Sequence, residues 1–460
     1  MNDDSSRSLL LSALRELAAR EPAGTRLPTV RTLQREYRVS PATVQAVTRE
    51  MAAAGLVEVR PAAGTFVAAH PVPPPRDTAW QQAVLGGRTP DAAVRALDLV
   101  TEPPAGTIRL SGGYLDEETI PTRALGASLA RAGRRPGVWG RSPVDGEEAL
   151  RRWFARAIGG VAHDEVVVTA GGQSALSIAI RALTRPGQPV LMESPGYLGA
   201  ISIARTYGLE TVPVPTDAHG MRTDLLDDAL TRTGARLVVV QPLFANPTGT
   251  TLPPERRAQL LDTATRHSAF VLEDDYARDL VIDTPVPPTL MSADRTGHVV
   301  HVRSLTKAVA PGLRVAALAA RGPALARLRA AKALDDLYVS GPLQAAALDF
   351  LTSSAFPRHQ RAVSRQLAHR RDALLRALTT HLPGADVTCV PRGGMHVWVR
   401  LPDGTDPDVL AARALAAGVL ISAGTPWFPA EPDGACLRLT YGQVSADQIG
   451  EGIRRLSHAM

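Results

Sequence analysis

Ser304-Leu305-Thr306-Lys307-Ala308-Val309-Ala310-Pro311-Gly312-Leu313-Arg314 decides how the rest of the 460-residue chain is read. Of 51 Lys+Arg residues only two are lysines, Lys307 and Lys332, so arginine stands almost everywhere that charge alone suffices. Lys307 is therefore retained for its amine. A primary amine condenses with an aldehyde to give a Schiff base, and an always-protonated guanidinium does not. Hydroxyls at Ser304 and Thr306, with the guanidinium of Arg314, suit a phosphate held beside that amine. An aldehyde that carries a phosphate is pyridoxal 5'-phosphate (PLP).

Around this stretch strands and helices alternate from about residue 107 onward. Short apolar strands are expected at 165–169, 188–193, 237–243 and 270–274, with helices at 173–183 and 256–267. Alternation of this kind predicts a parallel sheet covered on both faces, with its site at the carboxyl ends of the strands. Helices at 371–382 and 407–417, strands at 396–401 and 436–441, and a last helix opened by a capping box at Ser445 and Gln448 make a smaller C-terminal subdomain.

Each further candidate follows an expected strand. Thr169-Ala170-Gly171-Gly172-Gln173-Ser174 is a glycine-rich turn into a helix, whose free N–H groups suit a phosphate. Glu193-Ser194-Pro195-Gly196-Tyr197 offers an aromatic to stack on a pyridine ring, and Asn246-Pro247-Thr248-Gly249 an amide for the ring hydroxyl. Glu273-Asp274-Asp275-Tyr276 ends an apolar strand with carboxylates, costly there unless something cationic meets them.

Together these motifs resemble the fold type I PLP enzymes, the aspartate aminotransferase superfamily, over about 350 residues. By that resemblance Lys307 forms the internal aldimine, Asp274 pairs with the pyridinium nitrogen, and Asn246 and Tyr276 hydrogen-bond the phenolic oxygen. Tyr197 stacks on the ring, and Gly172, Gln173, Ser304, Thr306 and Arg314 bind the phosphate. Arg438, in Leu437-Arg438-Leu439, matches the arginine that grips the substrate α-carboxylate. Two positions depart from the pattern. Gly172 replaces a common serine, and Trp139-Gly140 stands where many members carry a tyrosine that reaches the partner subunit's phosphate; either the indole N–H substitutes or that contact is lost.

The first seventh of the chain reads differently. Leu10, Leu14 and Leu17 form one apolar stripe; Thr29 caps a second helix whose buried side is Val30, Leu33 and Tyr37. Ser40 caps a third, with Pro41 at its first position. Val44, Val47 and Met51 face inward there, leaving Ala42, Gln45, Ala46 and Arg49 on a face that suits a major groove. Two short strands around Pro61-Ala62-Ala63-Gly64 complete a wing. The segment resembles the winged helix-turn-helix domain of GntR-family repressors in Arg26-Leu27-Pro28-Thr29, Val39-Ser40-Pro41-Ala42-Thr43-Val44 and Arg60-Pro61-Ala62-Ala63-Gly64-Thr65-Phe66-Val67. On that outward face Arg49 can reach guanine or a phosphate; by the resemblance Arg31 and Ser40 contact phosphates, Thr43 and Gln45 sit in the groove, and Gly64 lets the wing approach the DNA backbone. Members often carry arginine where Gln45 stands.

Between the two lies a proline-rich stretch with Pro71, Pro73, Pro74, Pro75, Pro103 and Pro104, which reads as an extended spacer, with a helical turn or two at 91–100. The expected organisation is a DNA-binding domain at 1–68, a linker at 69–106 and a PLP-binding domain at 107–460, its small subdomain at about 365–460. The fold class is α/β: a winged helix-turn-helix joined to a fold type I aminotransferase with a mostly parallel sheet and a smaller α+β subdomain.

Composition narrows the function further. No apolar run approaches a membrane span, and Asp3, Asp4, Arg7 and Arg15 spoil a signal-peptide reading, so a cytoplasmic location is expected. Cys389 and Cys436 offer neither a disulfide framework nor a metal cluster, and no metal site is expected. Net charge +6 permits a nucleic-acid partner without requiring one. The three parts in one chain resemble the MocR/GabR regulators. That resemblance implies a head-to-tail homodimer on direct or inverted promoter repeats, with an amino compound or PLP as effector. The alternative is an aminotransferase with an appended DNA-binding domain.

Overall fold

The computed structural model describes residues 3–61, 63–68, 80, 81, 84, 103–283 and 285–460. They fall into two compact units, Met1–Arg88 and Thr89–Met460. Most of the expected linker, with the helical turn at 91–100, lies outside the described residues.

In the first unit α1 (Asp3–Arg20), α2 (Val30–Tyr37) and α3 (Pro41–Ala53) precede a hairpin of β1 (Val57–Arg60) and β2 (Gly64–Val67). The caps act as expected: Thr29 Oγ1 accepts from Thr32 N–H at 3.3 Å and Ser40 Oγ from Thr43 N–H at 3.1 Å. Leu10, Leu14, Leu33, Val44, Val47 and Met51 make the core with Val57 and Val67 of the wing. Val30 departs from expectation. It is 43% exposed, and Leu33 alone of that helix is fully buried. Gly64 takes φ +120° at the start of β2, a backbone conformation that favours glycine.

In the second unit the chain enters through β3 (Ile108–Arg109). It then builds β4 (Val166–Thr169), α4 (Gly172–Leu183), β5 (Pro189–Ser194), β6 (Glu210–Asp217), β7 (Gly220–Met221), β8 (Leu237–Val240), β9 (Phe270–Asp275), β10 (Val299–Ser304) and β11 (Ala316–Ala319). Strands β4 to β11 form one eight-stranded sheet in the order β4-β11-β10-β9-β8-β5-β6-β7. The ladders from β10 through β9, β8 and β5 to β6 are parallel, and β11 is inserted antiparallel between β4 and β10. Strands such as β4 and β8 are buried throughout, as a sheet with helices on both faces requires. The 237–243 strand ends early, at Val240, where the chain turns into the loop that carries Asn246.

The C-terminal part is led by α5 (Ala355–His381), whose 27 residues exceed the expected 371–382 and run through residue 365 without a break. After it come β12 (Asp386–Val387), β13 (His396–Arg400), β14 (Val419–Leu420), β15 (Ser422–Ala423), β16 (Cys436–Thr440) and α6 (Ala446–Ala459). Four of these strands form an antiparallel sheet ordered β12-β13-β16-β15, while β14 pairs with β3. The capping box of Ser445 and Gln448 is formed, and Ile449, Ile453 and Leu456 are buried beneath α6. No described helix is long and apolar enough to cross a membrane.

Candidate functional site

The carboxyl ends of β4, β5, β8, β9 and β10 meet at a cavity of about 290 Å³. Each enzyme-type residue expected from the sequence lines it: Gly172, Gln173, Tyr197, Asn246, Asp274, Tyr276, Ser304, Thr306, Lys307, Arg314 and Arg438. Gly172 and Gln173 open α4 immediately after β4, so their N–H groups belong to the unsatisfied first turn. Arg438 comes from β16 of the other sheet.

The carboxylates at the end of β9 divide into two classes. Glu273 accepts from Leu290 N–H at 2.8 Å and Met291 N–H at 3.0 Å and meets His301 Nδ1 at 2.8 Å; Asp275 is paired with Arg278. Asp274 has no cation within ion-pair distance among the described residues. It accepts from Gln241 Nε2 at 2.6 Å, and burial pushes its carboxyl up to about 6. A buried carboxylate left in this state fits a cationic ring nitrogen.

Lys307 is partly buried, with Nζ 3.7 Å from the centre of the Tyr114 ring. Burial first, and then the charge of Arg438, bring its ammonium down to about 7, so much of the amine is free base at neutral pH. Arg438 is 2% exposed and donates to Asn246 Oδ1 at 3.3 Å and to the Ser111 carbonyl, with its guanidinium carbon 4.2 Å from the centre of Trp427. It faces no carboxylate among the described residues, and burial lowers it to about 10. A buried guanidinium without a counter-ion suits an anionic ligand.

The phosphate end passes a direct test of fit. Thr306 Oγ1 is buried and has no hydrogen-bond partner among the described residues. Arg314, held in the left-handed region at φ 49°, donates to Ala170 O at 2.7 Å. A Cβ on Gly171 would lie 2.6 Å from Arg314 Nη2, and one on Gly172 3.2 Å from Ser304 Cβ. Gly171, at φ +108°, leaves room for the Arg314 guanidinium, while a side chain at Gly172 would need only a small shift of Ser304. Tyr197 donates its hydroxyl to Gln173 Oε1 at 2.9 Å, and Tyr276 donates to Phe244 O at 2.8 Å, which leaves the Tyr276 oxygen an acceptor toward the cavity.

Six lining residues escaped the sequence reading, and three of them, Tyr114, Gln241 and His396, bring polar side chains. Gln241 ties the site together, since beyond its bond to Asp274 its Oε1 accepts from Asn246 N–H at 2.8 Å and its own N–H donates to Glu193 Oε2 at 2.9 Å. Its signal was available: a polar residue directly after the apolar run of β8, as Asp274 is at the end of β9. Trp139 lies 76% exposed, its indole N–H donated to Gly133 O at 2.9 Å, so that donor is already engaged within the chain.

In the first unit Arg31, Gln45, Arg49 and Ala42 are exposed, whereas Ala46 and Thr43 are half-buried. Ser40 Oγ and Thr43 Oγ1 lie 2.8 Å apart and share the cap of α3. Among the described residues no His/Cys/Asp/Glu group is arranged to hold a metal.

Comparison with known proteins agrees with this geometry. Residues 108–456 match the family described as Aminotransferase class I and II, and residues 17–67 that described as Bacterial regulatory proteins, gntR family. The uncharacterized HTH-type transcriptional regulator YdfD of Bacillus subtilis is 28% identical over 95% of this chain and 92% of its own length. The 2-aminoadipate transaminase of Thermus thermophilus is 33% identical over 81% of this chain and 95% of its own. The crystal structure of LysN, the α-aminoadipate aminotransferase of Thermus thermophilus, complexed with N-(5'-phosphopyridoxyl)-L-leucine, superposes with TM-score 0.75 at 32% identity, covering 83% of this chain and 97% of LysN.

Proposed function

The chain belongs to the aminotransferase class I and II family and carries a gntR-family DNA-binding domain ahead of it, and from that premise we propose a PLP-dependent transcriptional regulator of the MocR/GabR type that senses an amino compound or PLP at Lys307. One observation carries the reading. Likeness to an HTH-type regulator spans 95% of this chain and 92% of that relative, so both units are shared with it and not the amine site alone. The proposed organisation is a DNA-binding domain at 1–68, a linker at 69–106 and the PLP domain at 107–460, acting in the cytoplasm as a head-to-tail homodimer on promoter repeats.

PLP is the cofactor, and when bound it supplies an aldehyde for reversible condensation with amines and a ring that withdraws electrons. The protein's residues do the rest. Thr306, Ser304, Arg314 and the N–H groups of Gly172 and Gln173 hold the phosphate. Asp274 keeps a proton on the ring nitrogen, and Gln241 fixes the direction of its carboxylate. Tyr197 would cover the ring, Asn246 would donate its side-chain N–H to the ring oxygen, and Tyr276, its hydrogen already given to Phe244 O, would accept from that oxygen in its protonated form. Lys307, poised near neutrality, would hold the aldehyde carbon and would take up or release a proton at Nζ when an amine comes in. Arg438 grips the carboxylate of that amine. Arg31, Ser40 and Arg49 meet DNA phosphates, Thr43 and Gln45 face base edges, and Gly64 brings the wing close.

Footprinting on the DNA upstream of the chain's own gene, with and without PLP and amino compounds, tests this. Protection of a repeat that changes with occupancy of Lys307 is expected. The second reading, a working aminotransferase, is favoured by the complete site and by the 33% identity to a transaminase. It takes over if the protein shows no preference for promoter over random DNA yet turns over at about 1 per second or faster.

A further inference from the structure

His396 opens β13 and has had no role so far. In the antiparallel ladder Trp398 faces Arg438 and His396 faces Thr440, so His396 and Arg438 share one face of the sheet as diagonal neighbours. That diagonal spans about 7–8 Å, within reach of long side chains. His396 is 2% exposed and lines the cavity, and its Nδ1 has no hydrogen-bond partner among the described residues. Arg438 Nε, on the adjacent strand, is likewise unpartnered. Buried polar groups in folded proteins are nearly always paired, so two unpaired nitrogens on one wall of a cavity mark where a ligand's polar group belongs.

Burial, and then the charges of Arg438 and Lys307, hold the imidazole well below its ordinary range, so the ring is neutral at neutral pH. It is then no third cation. It is a directional group with one N–H to give. A carboxylate gripped by a guanidinium still has lone pairs to spare for such a donor.

We infer that His396 is a specificity-determining residue: it donates through Nδ1–H to the carboxylate that Arg438 grips, and so helps the site select amino compounds with a carboxylate over amines without one. The inference rests on the reading of the cavity as a PLP site open to amino compounds.

Two probes separate this role from mere packing. Aminooxyacetate and O-methylhydroxylamine carry the same reactive nitrogen, and only the first has a carboxylate. With either, a C=N bond to the probe nitrogen replaces the one to Lys307, and the probe's two amine hydrogens end on the lysine nitrogen. The visible band of the full-length, PLP-loaded protein follows the exchange. The unmodified chain should prefer aminooxyacetate. In His396→Phe that preference should fall about tenfold, as loss of a hydrogen bond to a charged group implies, with the O-methylhydroxylamine rate unchanged. His396→Asn, whose side-chain N–H can replace Nδ1–H, should keep the preference within about threefold. If His396→Phe does not fold, His396→Leu gives the same comparison. The inference is overturned if the apolar variant keeps the full preference, if both probes slow alike, or if the unmodified chain shows no preference. A chain with no PLP band and no reaction with either probe sinks the PLP reading instead.

Discussion

Lys307→Met in the cofactor-free protein should raise stability, although it removes the residue on which the function depends. The ammonium is drawn from 10.5 to about 7 because burial and Arg438 disfavour its charge. At about 1.36 kcal/mol for each tenfold change in a protonation equilibrium, a charged Lys307 costs the folded chain about 5 kcal/mol. The sign follows from linkage. Below about pH 7 the amine is protonated both folded and unfolded, and the cost is felt in full. Between about 7 and 10.5 the folded chain gives up the proton first and the cost shrinks, so cofactor-free wild type gains stability across that window. Methionine keeps the apolar stem and has no proton to lose. Even if relaxation of the cavity leaves only about 2 kcal/mol, the melting temperature should move by about 3 °C. Calorimetry on both cofactor-free proteins, at about pH 6.5 and about pH 9, should therefore show the variant ahead at the lower pH and the gap closing at the higher. Parallel pH profiles, or a variant less stable at both, would refute the argument that a buried ammonium is the cause.

Three further outcomes are expected. Asp274→Asn should keep PLP attached at Lys307 but weaken its retention on dialysis, followed by the visible band; equal retention would remove Asp274 from the ring-nitrogen role. Gln241→Leu strands the Asn246 N–H and frees the Asp274 carboxylate, so urea unfolding should show a loss of about 1–3 kcal/mol, and an unchanged midpoint would mean that other groups replace its bonds. On DNA, Arg31→Ala should lower the salt slope of binding by about one ion for every sequence, whereas Gln45→Ala should cost about 1–3 kcal/mol at a single base position. The same response to both changes would contradict the division into phosphate and base contacts.

What could be read from the sequence, and what could not, follows from where the physical signal is local. The caps at Thr29, Ser40 and Ser445 are side chains acting on N–H groups three residues away, and all three are formed. The site motifs are equally local, because each sits at the end of an apolar run. β11 was not legible: Ala316-Ala317-Leu318-Ala319 has no strand propensity, and it is a strand because β4 and β10 pair with it on either side. The length of α5 was hidden too, since polar His359 and Arg370 interrupt the buried stripe of Phe356, Val363, Leu367, Leu374 and Leu378 that runs along it. Tyr114 and His396 belong to no motif, and only the closure of two sheets around one cavity brings them together.

Within Glu273-Asp274-Asp275 the sequence presents three equivalent carboxylates, and partners make them unequal. Glu273 is bonded by His301 and two backbone N–H groups, and Asp275 is paired through Oδ2 with Arg278, so both are committed within the fold. Asp274 is left beside a cavity with a carboxyl raised by burial, and the same cavity holds a depressed amine, an unpaired guanidinium and an orphaned hydroxyl. Each of these costs free energy in the empty fold and is relieved by a ligand of opposite character, so occupancy and stability are linked by mass action. The relief is also distributed over two sheets: Lys307 and Asp274 follow strands of the larger one, and Arg438 and His396 lie on the smaller. Under the proposed function an amine without a carboxylate would reach the first group alone, whereas one that carries a carboxylate would reach both. A ligand shifts a balance between two arrangements only if it binds them with different affinity, and the carboxylate is where such a difference would arise.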